Sequence, residues 1–281
     1  MAVTPPSGIV NSVVNDVNGY SYLASDDNKV RKVDPSGVEV WSVNPSASSL
    51  NCVAIDDQGS VYVTSTAGTL FKLDPNGNQL WSYGDGTVII GAMAVDYATG
   101  QSFIGFADGR IKSVSTDGVE LWNVSKGSLS SGPSVTSIDV NDTMLVVGDA
   151  NFAVTSLSKV DGSGSSYEWI YVGLTDEPNS ISFTRTGNIV VGGKEGVVCY
   201  LDTNGNELDR ITFAAAVHDA RTDYKDNLFV CTEDGNRLIK LDENYTKQWE
   251  VAYGTVIPLQ SSVESIQFNL NEPSYVSGAN V

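Results

Sequence analysis

The sequence predicts an all-β protein, a β-propeller built from four-stranded antiparallel blades, and three observations lead to this fold class. Similar short segments recur at a nearly constant spacing along the 281 residues. Each recurrent unit divides into four segments of strand length, separated by turn residues. One strand of each unit is apolar on both faces, so that each sheet must be covered on both sides.

The repeat is marked most clearly by tryptophan. The segment LDPNGNQLW ends at Trp81, and related segments end at Trp41, Trp122, Trp169, Asp209 and Trp249. The successive spacings are 40, 41, 47, 40 and 40 residues. A repeat of about forty residues that contains four strands has the length of one propeller blade. The five tryptophans are therefore predicted to be structural residues of the repeat.

Residues 51–83 show how one unit is built. Four strands, A to D, correspond to NCVAID, SVYVTS, TLFKLD and NQLWSY, and the turns between them contain DQG, TAG and PNG. Glycine recurs in the A–B and C–D turns, where tight hairpins require a residue that tolerates positive φ. These glycines are Gly19, Gly59, Gly100 and Gly187 in the first set, and Gly37, Gly77, Gly118 and Gly205 in the second.

Strand C indicates how the sheets pack. Leu70 and Leu73 lie on opposite faces of this strand, because side chains alternate along it. Sheets of this kind are covered on both faces when blades stack radially. The tryptophan of strand D is predicted to fill the gap between sheets. Asp209 breaks this pattern, so the interface of the fifth unit should be looser or locally repacked.

The number of blades depends on which strand pairs are counted. A–B strand pairs begin near residues 12, 51, 92, 135, 180, 219 and 264, whereas only six C–D pairs are present. We favour seven blades within a single domain, residues 1–281. The last blade, residues 264–281, is incomplete, and residues 1–11 contribute a strand that closes the ring. Six blades are the alternative.

Composition excludes several classes of partner. There are 16 lysines and arginines against 34 aspartates and glutamates, which gives a net charge of −18. Such a protein is not expected to bind nucleic acid or an anionic membrane. The beginning of the chain, MAVTPPSGIV, lacks the basic and apolar regions of a secretory signal. We expect a virion component, or a cytoplasmic protein if the source is not viral.

The run GTLFKLDPNGNQLW and the five related segments resemble the PQQ-like repeat of quinoprotein-like propellers. In that repeat a Gly opens strand C, a Leu-Asp pair closes it, and Gly and Trp follow at fixed offsets. The resemblance covers roughly residues 12–253. One departure is the lysine before the closing residue, where the family often has a small side chain: Lys32, Lys72 and Lys240.

The resemblance implies the fold and little about function, and the differences from catalytic quinoproteins favour the non-catalytic type. Catalytic quinoproteins resemble one another in being about twice as long, with adjacent cysteines and a calcium ion near the ring axis. The three cysteines here, Cys52, Cys199 and Cys231, are far apart. Many members of the family bind no quinone and act as protein-binding scaffolds. We therefore expect no cofactor.

Two sets of polar residues are candidates for chemistry. His218 is the only histidine, and no motif places a nucleophile beside it, so a structural role is expected. Carboxylates recur at turns, where they are expected to cap backbone N–H groups; a calcium ring is the alternative. They are Asp16, Asp56 and Asp96 after strand A; Asp34, Asp74, Asp202 and Asp242 after strand C; and Asp26, Asp27, Asp108, Asp149, Glu195, Glu233 and Asp234 in the B–C turns. No catalytic or metal-binding residue is assigned.

The connections from strand D to the next strand A are unusually apolar. Residues 86–91, 213–217 and 254–260 read GTVIIG, FAAAV and GTVIPLQ. They either fold inward to plug the axis or form an apolar patch, and patches of that kind mark interaction sites. The candidate interaction residues are Val88, Ile89, Ile90, Phe213, Val217, Ile257 and Leu259.

These observations favour a non-enzymatic structural or interaction module that docks another protein or a glycan within a larger complex. A bacteriophage tail, fibre or capsid-decoration protein fits the Ser/Thr/Asn-rich composition without an export signal. The alternative is a lactonase- or lyase-like enzyme with a carboxylate-bound metal at the central mouth. An enzyme would require several polar side chains from different blades to converge there, with shifted pKa values.

Overall fold

The computed structural model describes residues 8–252 apart from 85, 87, 126–131, 163–168, 224 and 234–236. These residues form six four-stranded antiparallel sheets, in each of which the strands follow chain order. The chain divides into two compact units, Met1–Val135 and Thr136–Val281. We number the sheets as blades 1 to 6 along the chain. None of the described segments is a helix long and apolar enough to cross a membrane.

Blades 1 to 3 belong to the first unit. Blade 1 consists of β1 (Val10–Asn15), β2 (Ser21–Ser25), β3 (Val30–Val33) and β4 (Glu39–Val43). Blade 2 consists of β5 (Leu50–Ile55), β6 (Val61–Ser65), β7 (Leu70–Leu73) and β8 (Gln79–Tyr83). Blade 3 consists of β9 (Ile90–Val95), β10 (Ser102–Phe106), β11 (Arg110–Val114) and β12 (Glu120–Ser125).

Blades 4 to 6 follow, with β13 beginning at the boundary between the units. Blade 4 consists of β13 (Val135–Val140), β14 (Leu145–Asp149), β15 (Val154–Leu157) and β16 (Trp169–Tyr171). Blade 5 consists of β17 (Pro178–Phe183), β18 (Ile189–Gly193), β19 (Val197–Leu201) and β20 (Glu207–Thr212). Blade 6 consists of β21 (Val217–Thr222), β22 (Leu228–Thr232), β23 (Arg237–Leu241) and β24 (Lys247–Ala252).

The fold class is confirmed, but the preference for seven blades was wrong. The described residues make six blades, because a four-stranded sheet needs a C–D pair and only six such pairs exist. The A–B signal near residue 264 has no C–D segment after it, and residues 264–281 lie outside the described residues. Residues 1–7 also lie outside them, while Val10 and Asn11 begin β1 of blade 1. The assignment of a single domain over 1–281 stays a prediction.

The core lies on both faces of the middle strands, as strand C predicts. Every residue of β6 and β7 is buried, whereas β8 at the edge of the same sheet is largely exposed. Val61 and Leu70 are completely buried, and Leu73 is almost so. Burial of such side chains stabilises the fold by roughly 1.5–3 kcal/mol each.

The tryptophans connect neighbouring blades within each unit. The Trp81 indole nitrogen donates a hydrogen bond to the Thr116 carbonyl oxygen (3.0 Å) in the C–D turn of blade 3. Gly118 of that turn has φ +84°, and a Cβ there would lie 2.9 Å from the Trp81 ring. The turn therefore needs glycine both for its backbone and for the close approach of the indole. Equivalent contacts are made by Trp41 with Pro75 (3.0 Å) and Gly77, and by Trp169 with Thr203 (2.9 Å) and Gly205.

The interface after blade 5, where Asp209 replaces the tryptophan, is repacked. Tyr245 occupies the position that glycine holds in the other C–D turns and has φ +59°. Its ring lies against Tyr200 of blade 5, with 5.2 Å between the centroids. The aromatic side chain is thus supplied by the turn of blade 6 instead of by the edge strand of blade 5.

Candidate functional site

The first strand of each sheet is its inner strand, because these strands pack against one another within each unit. In the first unit β1 packs against β5 and β5 against β9, and in the second unit β17 packs against β21. Each inner strand is a sheet edge, so its outer row of backbone groups needs partners from elsewhere.

Polar side chains of one inner strand supply those partners to the next. Asparagine amides at the second position donate to the carbonyl oxygen of the first residue in the following strand: Asn11 to Leu50 (2.8 Å), Asn51 to Ile90 (2.6 Å) and Asn179 to Val217 (2.8 Å). Serine hydroxyls at the third position accept backbone N–H groups: Ser12 from Val53 (3.2 Å) and Ser180 from Ala220 (3.0 Å). These recurrent polar residues therefore satisfy a sheet edge.

His218 lies in this same series. It is the second residue of β21, in the register that Asn179 holds in β17, since both strands have a bulge after their first residue. Its side chain is half-buried. The position is the one at which asparagine caps the next strand in other blades, and the structural role of His218 stays a prediction.

One group of side chains on the inner strands is charged, whereas the capping residues described above are neutral. Arg221 of blade 6 lies beside Asp219 of the same strand, with 3.0 Å between Nε and Oδ2. Asp139 of blade 4 accepts the N–H of Phe183 (3.1 Å) and that of Val140 (2.9 Å). We call Asp139, Asp219 and Arg221 the inner charged cluster.

Burial raises the pKa of Asp139 to about 6, and the positive charge of Arg221 opposes that rise. The Arg221 side chain keeps 29% of its surface accessible, whereas Asp219 keeps 4%. Sequence reasoning missed this cluster, because its members come from different blades. A signal was nevertheless present: charged residues stand inside strand A segments, at positions where the other blades have uncharged Ser, Cys, Ala or Val.

The carboxylates after strand C cap their turns, as predicted. Asp74 Oδ1 accepts the N–H groups of Asn76 (2.9 Å) and Asn78 (2.9 Å), and the Asp74 carbonyl accepts that of Gly77 (3.0 Å). Asp34, Asp202 and Asp242 make the same two side-chain contacts in their own turns. Their oxygens are therefore engaged by the backbone.

A carboxylate after strand A also explains one of the lysines that depart from the family repeat. Asp56 Oδ1 accepts two turn N–H groups, and its Oδ2 lies 3.0 Å from the Tyr62 hydroxyl and 3.6 Å from Lys72 Nζ. Lys72 also donates to the Thr116 hydroxyl (2.6 Å) and lies over the Tyr62 ring. The buried ammonium is thus paired and hydrogen-bonded across the interface of blades 2 and 3.

The B–C carboxylates have local partners too. Asp27 pairs with Arg31, Asp108 with Arg110, and Glu195 accepts the N–H of Thr175. Asp26 accepts a hydrogen bond from the Asn11 side chain, and Asp149 caps its own turn. Glu233 is the remaining described member, and Asp234 lies outside the described residues. Within the part of the chain that the structure describes, no three His, Cys, Asp or Glu side chains lie close enough to hold a metal ion.

In the described parts of the apolar D–A connections, most side chains fold into the blades. Ile90 and Val217 are completely buried, while Val88 and Phe213 are half-buried against the cores. Ile89 is 52% exposed, and among the described members of the predicted interaction set it has the open side chain. Ile257 and Leu259 lie outside the described residues.

A second exposed apolar series lies on the outer strands, the last strand of each sheet. The residue before the tryptophan position is an extra residue in a β-bulge, as Leu80 is between the pairs Leu73–Gln79 and Lys72–Trp81. Bulges re-aim a side chain and protect an exposed edge. The aliphatic bulge residues are Val40 (51% exposed), Leu80 (56%), Leu121 (51%) and Leu208 (56%).

Comparison with known proteins identifies the repeat. Residues 26–171, just over half of the chain, match the PQQ-like family model described as outer membrane protein assembly factor BamB. The chain belongs to this family. No curated protein matches the chain.

The BamB-family match confirms the PQQ-like resemblance that the repeat predicts. The matched span extends from the B–C turn of blade 1 to the end of β16 in blade 4. It contains the Trp41–Gly77 and Trp81–Gly118 contacts, which hold successive blades together. Membership of the BamB family thus accounts for the architecture, while function depends on the surfaces that this chain adds to it.

Proposed function

We propose that this BamB-family protein is a non-enzymatic interaction module that docks another protein within a larger complex. One observation carries the proposal: aliphatic side chains are exposed at the same bulge position in successive blades, while the recurrent polar side chains are engaged in capping. Exposed apolar groups that recur on a rigid scaffold favour association with a partner.

The family description supports a polypeptide as the partner. It names an assembly factor for outer membrane proteins, and we carry over only the general role of binding other polypeptides during assembly. The exposed groups are mainly aliphatic, which suits a protein surface better than a glycan. A virion component is the finer setting that we propose, on the acidic, lysine-poor composition; mass spectrometry of purified particles would test it.

Photo-crosslinking tests the docking function. A photoreactive residue replaces Ile89, which is 52% exposed, and in a matched control it replaces Val160, which is 86% exposed in the second unit. In the cells that produce the protein, we expect a reproducible adduct with a second polypeptide from position 89 and none from position 160. Free protein at both positions would contradict docking through this connection.

The inner charged cluster is the observation that favours an enzyme as a second candidate. It joins side chains of two blades, and the pKa of Asp139 is raised to about 6, within the range of a general base. A lactonase- or lyase-like reaction would be detected as turnover of simple lactones, with and without added divalent metal. Loss of that turnover in Asp139→Asn, with the fold retained, would favour the enzyme over the interaction module.

A further inference from the structure

We infer that the outer strands of the first unit form a docking surface for a basic polypeptide segment that carries aliphatic side chains. This inference rests on the proposed function and specifies the surface and the chemistry of the partner. The surface, which we call the outer row, consists of Val38, Val40, Leu80, Val119 and Leu121.

The bulge geometry places one aliphatic residue of the outer row on each of three successive blades. In blade 1, Val40 is the extra residue between the pairs Val33–Glu39 and Lys32–Trp41. Leu121 occupies the same place between Val114–Glu120 and Ser113–Trp122 in blade 3. Val38 (39% exposed) and Val119 (61%) extend the row towards the C–D turns.

The blades that carry the outer row are joined directly. Trp41 donates to the Pro75 carbonyl, and Trp81 donates to the Thr116 carbonyl, so each outer strand is attached to the C–D turn of the next blade. Tyr83 of blade 2 also bonds Glu120 of blade 3, and Lys112 Nζ lies 3.0 Å from the Tyr83 hydroxyl. A partner would therefore meet a preformed row, which reduces the entropy cost of binding.

The charge around the outer row selects the partner. The C–D turns and outer strands of the first unit, residues 34–43, 74–83 and 115–125, contain five carboxylates and no lysine or arginine: Asp34, Glu39, Asp74, Asp117 and Glu120. Two of these carboxylates form ion pairs: Glu39 Oε2 lies 3.5 Å from Arg31 Nε, and Glu120 Oε2 lies 3.0 Å from Lys112 Nζ. The other three carboxylates, Asp34, Asp74 and Asp117, lie in the C–D turns.

Turn geometry keeps two of the turn carboxylates ionised. A backbone N–H of Val38 lowers the pKa of Asp34, and the Asn78 side chain and backbone lower that of Asp74. A row of aliphatic side chains beside fixed negative charge attracts a basic segment. A second copy of this chain would bring its own charge of −18 and is disfavoured.

Blade 5 provides a matched control within the same molecule. Leu208 lies in the same bulge, between the pairs Leu201–Glu207 and Tyr200–Asp209, and is equally exposed. Its strand carries Arg210, which bonds Glu207, so the setting is not purely acidic. Removal of Leu208 therefore tests an exposed aliphatic bulge residue outside the outer row.

The experiment measures binding of a fluorescent synthetic peptide of alternating leucine and lysine by anisotropy. We expect the wild-type protein to bind it, and the double variant Leu80→Ser, Leu121→Ser to bind at least roughly tenfold more weakly, as loss of two apolar contacts predicts. Leu208→Ser should bind as the wild type does. Asp74→Asn with Asp117→Asn should weaken binding several-fold and reduce its dependence on salt.

Control peptides and a fold check complete the test. Peptides with glutamate in place of lysine, or serine in place of leucine, should not bind, and all variants should retain the wild-type circular dichroism spectrum. The inference is overturned if the basic peptide does not bind, if Leu208→Ser weakens binding as much as the double variant, or if the glutamate peptide binds equally. If crosslinking at position 89 gives an adduct but the basic peptide does not bind, the docking function stands and the outer row is not the docking surface.

Discussion

Tyr245 lies where the other described C–D turns of this type place glycine, and its ring centroid is 5.2 Å from that of Tyr200 in the preceding blade. Asp209 stands in that blade at the tryptophan position, so two departures from the repeat occur at one interface. A large side chain from the turn fills the space that the indole fills elsewhere. The two substitutions compensate for each other in volume, which is what close packing requires.

This compensation predicts non-additive stability. Tyr245→Gly should lower the free energy of unfolding by about 2–4 kcal/mol, because the lost aromatic contact outweighs the relief of positive φ. Adding Asp209→Trp should restore a large part of that loss, since it recreates the Trp–Gly pair of the other interfaces. Urea unfolding of the wild type, both single variants and the double variant gives the coupling energy. Strictly additive effects would show that the two positions do not share a slot.

The tryptophans should differ in energetic weight according to their burial. Trp122 is 8% exposed and Trp249 is 37% exposed. We expect Trp122→Ala to cost about 3–5 kcal/mol and Trp249→Ala about half as much. The half-buried Trp81 should fall between them. The comparison is made by chemical unfolding, and an equal cost at positions 122 and 249 would contradict the role of burial.

The buried pair of Lys72 and Asp56 predicts a strong asymmetry between single and double substitution. Lys72→Met should destabilise the protein by about 3 kcal/mol, because it leaves a carboxylate with a 3% exposed side chain without its counter-charge. Asp56→Asn in the same chain should recover part of this loss, since an amide oxygen can still cap the turn. Lys32→Met is the control, as that ammonium lies over Tyr20 and Tyr22. A double variant no more stable than Lys72→Met would refute the pairing.

Asp139 predicts a specific dependence of stability on pH. Its pKa is raised from 3.8 to about 6, chiefly by burial, so the native state keeps a proton that the unfolded chain has already released. The stability from this group is fully present below about pH 4 and is lost as pH rises to about 6. Asp139→Asn removes this loss and keeps an oxygen for the Phe183 N–H.

The measurement is urea unfolding of the wild type and Asp139→Asn at about pH 4 and about pH 7. We expect the variant to gain stability relative to the wild type between the two conditions, by roughly 1–3 kcal/mol. Ser182→Ala, at the equivalent position of blade 5, controls for general effects of the inner strand. A variant that loses relative stability at neutral pH would mean that Asp139 is stabilised in its charged form.

The repeat allows the strands, turns and capping carboxylates to be predicted, because each depends on residues close in sequence. Asp74 caps its own turn, and Leu70 and Leu73 are buried on opposite faces for the same local reason. The blade count could not be read in this way, since a strand signal near residue 264 does not guarantee a complete sheet. The cluster of Asp139 with Arg221 depends on which blades face each other. Whether a residue of a D–A connection is buried or exposed changes from one position to the next, since Ile90 is buried and Ile89 is exposed.

Docking within a larger complex is tested most directly by the size of the native protein in the cells that produce it. Gentle lysis followed by native size analysis should show the wild-type chain in a species larger than its own 29.9 kDa. The double variant Leu80→Ser, Leu121→Ser should release it to the size of the free chain, while Leu208→Ser should leave the larger species intact. A wild-type protein that migrates as the free chain under these conditions would contradict the account.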